Sequence, residues 1–261
     1  MDSTQQTLAN AYRTILTNLP QHWLDRSQSQ EPDFAKLSGL FLPGTSEAFD
    51  TAPRRILVVG RETRGWNVLK PEATFQGLDA YIAQAMAKQQ RHLSKYINEP
   101  MDRGASFFNL LRNLAQDHGA GSIAWANLFS FAWNKNSPMR WKHFAQLLQV
   151  SEQLLKAQIE ILQPDLIIFA NGASSARFRQ GYFPHKGEAS VCSDLGDFRD
   201  QGIPLNQLWR FKLHGGIQCY RIQHPSSISA ASRAARKFLL AQLREGGAGR
   251  VSGSGEVAAG G

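Results

Sequence analysis

Apolar positions along the chain follow two different periods. Leu8, Tyr12, Ile15, Leu16, Leu19 and Trp23 recur at helical spacing, which predicts an amphipathic helix over residues 4–24 packed on a larger body. A loop rich in Pro, Gly, Ser and acidic residues follows to Pro53. The run "RRILVVG" is then continuous, apolar and β-branched up to Gly60, the pattern of a buried strand. Similar runs return at "SIAWANLF" (Ser122 to Phe129), "PDLIIFANG" (Pro164 to Gly172) and "IQCYRIQ" (Ile217 to Gln223). Helical patterns separate them at Leu78 to Tyr96, Phe107 to Gln116, Phe144 to Leu162 and Ser229 to Leu243.

This alternation predicts an α/β fold, a parallel sheet covered by helices. "LWRFKLHGGIQCYRIQ" also reads as a hairpin turning at Gly215 and Gly216. The expected organisation is a helix and loop over residues 1–50 packed on the core, one α/β domain over 51–244, and a disordered tail over 245–261, where "EGGAGRVSGSGEVAAGG" is too small and polar to bury much surface.

Charge and cysteine content narrow the chemistry. Lys and Arg number 29 against 21 Asp and Glu, a formal net charge of +8 that suits polyanionic partners. Cys192 and Cys219 alone cannot build a four-cysteine zinc or iron–sulfur site, and they argue against a disulfide framework. No metal and no cofactor are expected. With no membrane-spanning run and no leader pattern, the expectation is a cytoplasmic, monomeric protein.

In a parallel sheet, ligands bind beyond the C-terminal strand ends, so the residues that follow each strand are the candidates. After the first comes "GRETRGW", presenting Glu62 either as a site carboxylate or as a loop glutamate paired with Arg61 or Arg64. Neither a Gly-x-Gly-x-x-Gly nor a Gly-Lys-Ser/Thr phosphate loop is present. Asn127 ends the second strand, as a cap or as a ligand reader. "NGASSARF" turns the third strand into a helix N-terminus. The fourth ends in His224, followed by "PSSIS" and a helix carrying Arg233, Arg236 and Lys237.

"HPSSIS" at the end of the last strand resembles the His-Pro-Ser loop of the uracil-DNA glycosylase superfamily, with Ile228 where that loop usually has Leu. Three further segments are similar in order: "GRETRGW" stands at the water-activating motif, "ASFFNLLRNL" (Ala105 to Leu114) at a Pro-Ser-Leu-x-Asn-Ile helix start, and Asn127 at the base-reading Asn. Phe75 falls where the superfamily places its base-stacking phenylalanine. The resemblance spans roughly Ile56 to Leu243 and implies a three-layer α/β/α sandwich with a central four-stranded, mainly parallel sheet.

It also implies a monofunctional DNA glycosylase. Glu62 would support the sugar cation and its water, and His224 the departing base. Asn127, Phe75 and Arg64 would hold the base, Ile228 would wedge the stack, and Ser106, Ser226, Arg233, Arg236 and Lys237 would hold phosphates. The chain departs from the uracil-specific pattern at Thr63 and Arg64, which replace a Pro-Tyr whose ring excludes a C5 substituent. The expected substrate is therefore a 5-modified pyrimidine, of the kind found in hypermodified phage DNA, with plain uracil repair as the nearest alternative. A non-catalytic DNA-binding module on the same fold is a third.

Overall fold

The computed structural model describes residues 3–25, 27, 31–70 and 73–248, with side chains to residue 245. Strands β1 (Ile56–Gly60), β2 (Ile123–Asn127), β3 (Leu166–Phe169), β4 (Cys192–Gly196), β5 (Leu208–Leu213) and β6 (Ile217–Ile222) form one sheet in the order β2-β1-β3-β6-β5-β4. The first four in that order are parallel, whereas β5 and β4 are antiparallel to their neighbours. The sheet is thus six-stranded and mixed rather than four-stranded. The hairpin legible at Gly215 and Gly216 is β5–β6, and β4 extends it as a mostly exposed edge interrupted by a register shift between Ser193 and Gly196.

Seven α-helices are described: α1 (Thr4–Leu16), α2 (Glu47–Asp50), α3 (Leu78–Asn98), α4 (Ser106–His118), α5 (Phe144–Leu162), α6 (Ala176–Tyr182) and α7 (Ala230–Ala248). Alternate strand residues feed two cores. Leu57, Val59, Ala126 and Ile167 pack with side chains of α1, α3 and α5, while Ile56, Val58, Trp125 and Ile168 pack with those of α4 and α7. Burying each of the Leu, Val and Ile side chains among them contributes about 1.5–3 kcal/mol.

The first helix ends at Leu16, short of the expected residue 24, because Pro20 cannot donate into a continuing helix; Trp23 is still buried through a short 3-10 turn. The Tyr12 hydroxyl donates to the Pro43 carbonyl at 2.8 Å, tying α1 to the loop that leads into the core. At the other end, α7 runs to Ala248, past the expected boundary at 244. The rest of the expected tail, 249–261, lies outside the described residues.

Candidate functional site

The parallel strands end at one edge of the sheet, and the loops leaving β1, β2, β3 and β6 meet there. Beyond β1, the Glu62 carboxylate is held from two sides. Arg61 donates from Nε to Oε2 at 2.6 Å and from a terminal nitrogen to Oε1 at 2.8 Å, and Arg64 Nε donates to Oε1 at 3.2 Å. Both arginine pairings considered for a loop glutamate are present, but the carboxylate is not solvated: its side chain is 2% exposed. Arg61 also reaches across to the Ser174 hydroxyl after β3, at 3.3 Å.

Asn127, at the end of β2, is buried with its amide fixed at both ends. Its Nδ2 donates to the Thr63 hydroxyl at 2.7 Å, and its Oδ1 accepts from Trp125 Nε1 at 3.2 Å. One amide hydrogen and one lone pair remain for other partners. Gly60 permits this approach, since a Cβ there would lie 2.7 Å from Asn127 Oδ1 and 3.2 Å from the Phe107 ring. Thr63 therefore ties the loop after β1 to the asparagine, a link that sequence spacing does not reveal.

His224 follows β6. The Ser226 backbone N–H donates to Nδ1 at 3.2 Å, and the Ser226 hydroxyl lies 2.7 Å from the same atom. With Nδ1 accepting, a neutral ring carries its proton on Nε2. Burial, then the Arg61 charge, push the imidazole below its ordinary 6.5; Glu62 opposes the shift, and Arg64 and Arg236 add to it. Phe107 joins the ends of β1 and β6: its ring would lie 3.2 Å from a Cβ at Gly60, two residues before Glu62, and it neighbours the His224 imidazole. Phe107, on α4, faces the imidazole nearly in parallel, with ring centroids 6.4 Å apart and an interplanar angle of 20°. Gly172, at φ 77°, passes so close that a Cβ would sit 3.3 Å from His224 Cβ.

The serines after His224 anchor the loop to α7. Ser229 Oγ caps the helix by accepting from Ser232 N at 3.1 Å, and the buried Ser232 hydroxyl meets those of Ser227 and Ser229 at 2.8 Å each. Arg236 turns inward: both of its terminal nitrogens donate to the Ser227 carbonyl at 3.2 Å. It is thereby occupied as a brace, whereas Arg233 and Lys237 project into solvent. Ile228 is 82% exposed at the tip. Ser106 is the first residue of α4, and Ser226 serves the imidazole rather than standing free.

Phe75 meets Tyr81, at a centroid distance of 6.0 Å, and packs on the core shared by α1, α3 and α5. Phe107 was not anticipated as a site residue; only its place at a helix start opposite the strand ends could have signalled it. Arg64 bends back to Glu62 with its side chain 52% exposed, so it forms no fixed wall. In the segment from Phe183 to Leu213, Arg210 and Lys212 lie near Asp194, at 3.9 Å and 3.4 Å, and Arg199 pairs with Asp197 at 2.8 Å. A cavity of about 770 Å³ opens at the opposite end of the sheet, beside Gln163, Pro164, His214 and Ile217, away from this chemistry.

No protein-family model matches the chain, and no curated protein matches it. Among the described residues no helix is long and apolar enough to cross a membrane, and no group of three or more His, Cys, Asp or Glu could hold a metal ion.

Proposed function

We propose that the protein is a DNA glycosylase that hydrolyses the N-glycosidic bond of a flipped-out pyrimidine, a 5-substituted cytosine or uracil, and leaves an abasic site. One observation carries the reading. A sequestered carboxylate and an imidazole whose Nδ1 is engaged by Ser226 stand at neighbouring strand ends joined through Phe107, and an aliphatic side chain stands exposed on the loop after the imidazole.

The base must leave the stack to be reached, and Ile228 fills the space it vacates. As the bond from C1′ to the base nitrogen breaks, its electron pair departs with the base and positive charge grows on the sugar. Glu62 stabilises that charge and orients a water whose oxygen bonds to C1′, its proton passing to the carboxylate. Arg61 and Arg64 fix the carboxylate so that little reorganisation is needed in the transition state. His224 donates from Nε2 to the oxygen on which the departing base gathers charge, and the spare amide hydrogen of Asn127 reads the base edge. Phe107, nearly parallel to His224, offers a planar surface where Phe75 was expected to. Thr63 is engaged with Asn127, and Arg64, half-exposed, with Glu62, so neither stands as the fixed ring of the uracil-specific pattern; this supports a pocket that accepts a C5 substituent.

A panel of duplexes carrying uracil, plain cytosine or enlarged 5-substituted cytosines tests the substrate by alkali-labile strand breaks. Breaks confined to the enlarged bases are expected; breaks at uracil alone would make it a uracil repair enzyme. A second reading, a non-catalytic DNA-binding module, draws on the fork by which Arg61 already occupies both oxygens of Glu62. Absence of breaks on every duplex, with DNA binding retained, would favour it.

Binding should follow the free cations. Replacing Arg233 and Lys237 together by alanine is expected to flatten the log–log salt dependence of DNA affinity by about two, roughly 0.9 for each phosphate no longer neutralised. Arg236→Ala should instead loosen the His224 loop and lower excision with a smaller change in slope, because its guanidinium is held by the Ser227 carbonyl. A double variant with an unaltered slope would place the DNA footprint elsewhere.

A further inference from the structure

Leu205 lies outside every motif of the site, yet the fold delivers it to the same edge. Because β5 runs antiparallel to β6, with Leu208 opposite Ile222, the residues entering β5 arrive where β6 gives way to His224. Arg221 donates to the carbonyls of Leu205 and Asn206 at 2.7 Å and 2.5 Å, and Gln223 Nε2 donates to that of Asn206 at 2.6 Å. The buried Ser232 hydroxyl, hub of the loop after His224, donates to Gln207 Oε1 at 2.7 Å. Residues 205–207 and 226–229 are thus bound through Ser232 into one platform. From it project two exposed aliphatic side chains, Ile228 at 82% and Leu205 at 45% exposure.

We propose that Leu205 is a second wedge, which acts with Ile228 on duplex DNA. The proposal rests on the glycosylase reading for its partner. One aliphatic side chain fills the gap left by an extruded base, but the base opposite then loses its pairing partner and tends to follow. A second apolar contact from a separate loop, fixed relative to the first, holds that opposite stack open. Such a contact costs the protein little entropy, since several hydrogen bonds to backbone and to a buried hydroxyl already order the loop. Exposed leucine is ordinary when isolated; here it sits on a loop clamped to the site, with the cations Arg233 and Lys237 on the adjoining helix. A duplex has two stacks to engage and a single strand has one, so Leu205 confers preference for duplex.

The test compares affinity for an oligonucleotide with a tetrahydrofuran abasic analogue, as single strand and as duplex, for the unaltered protein, Leu205→Ala and Ile228→Ala. Leu205→Ala is expected to weaken duplex binding about tenfold, the scale of one aliphatic side chain withdrawn from an apolar surface, while leaving single-strand binding within about twofold. The exposed position makes the variant safe for folding, which its thermal midpoint checks. An unchanged ratio of duplex to single-strand affinity in Leu205→Ala, or equal loss on both, overturns the second wedge. Excision on the base panel separates this from the catalytic reading: a protein with the predicted binding ratios that cleaves no base retains the wedge and loses the glycosylase assignment.

Discussion

Glu62→Ala is expected to slow single-turnover base excision by about a thousandfold without weakening DNA binding. The loss falls on the transition state, since the carboxylate's charge matters most when the sugar becomes cationic. A thousandfold corresponds to about 4 kcal/mol. Removing one partner of a buried ion pair costs a similar amount of stability, about 3–5 kcal/mol, so the rate is measured on protein whose thermal midpoint shows it to be folded. Removing the carboxylate also leaves two arginines unneutralised at the site proposed to receive DNA, and affinity at low salt should hold or rise. Glu62→Gln keeps the volume but not the charge and should fall nearly as far in rate. An active Glu62→Ala protein would sink the mechanism. A parallel fall in rate and affinity would reduce Glu62 to a brace for the loop after β1.

His224→Ala is expected to cost about 10²–10³-fold in the same step, the size of effect seen when one preorganised donor to a developing anion is removed. His224→Gln retains an N–H donor and should recover part of it. The pH dependence follows from the lowered imidazole pKa. The unfolded ring titrates near its ordinary 6.5 and the folded ring below it, so the site keeps its neutral donor down through that value. The acid limb of kcat/KM assigned to His224, expected in the unaltered protein and missing in His224→Gln, should therefore lie below pH 6.5. Stability follows the same sign. Between the folded and unfolded values the unfolded chain binds more protons, so the contribution is complete above 6.5 and is lost as pH falls toward the folded value. His92, His118 and His185 are lowered too, by burial first, so the effect of His224 is the difference between the unaltered protein and His224→Gln. A limb at or above 6.5 would mean that the imidazole is not held neutral.

Much of this site could be anticipated because burial leaves a local record. Four of the six strands announce themselves as apolar runs and β5 as one arm of an alternating hairpin, and α5 spans the expected Phe144–Leu162 because one face of it must be buried over several turns. β4 left no such record: "CSDLG" lies at an edge, mostly exposed, and supplies little to either core. The six-stranded sheet was therefore hidden, although its β5–β6 hairpin was legible.

The type of the buried segments and the strand-end positions of Glu62, Asn127 and His224 were determined by the sequence alone, through hydrophobic period and turn chemistry that act over a few residues. The partners of those residues were decided only by tertiary structure. Thr63 on Asn127, Arg61 on Ser174, Phe107 beside His224, Arg221 on Leu205 and Ser232 on Gln207 all join segments well separated in the chain. The strand order β2-β1-β3-β6-β5-β4 brings those segments together, and that order arises from non-local packing of whole strands and helices, which no short window of residues records.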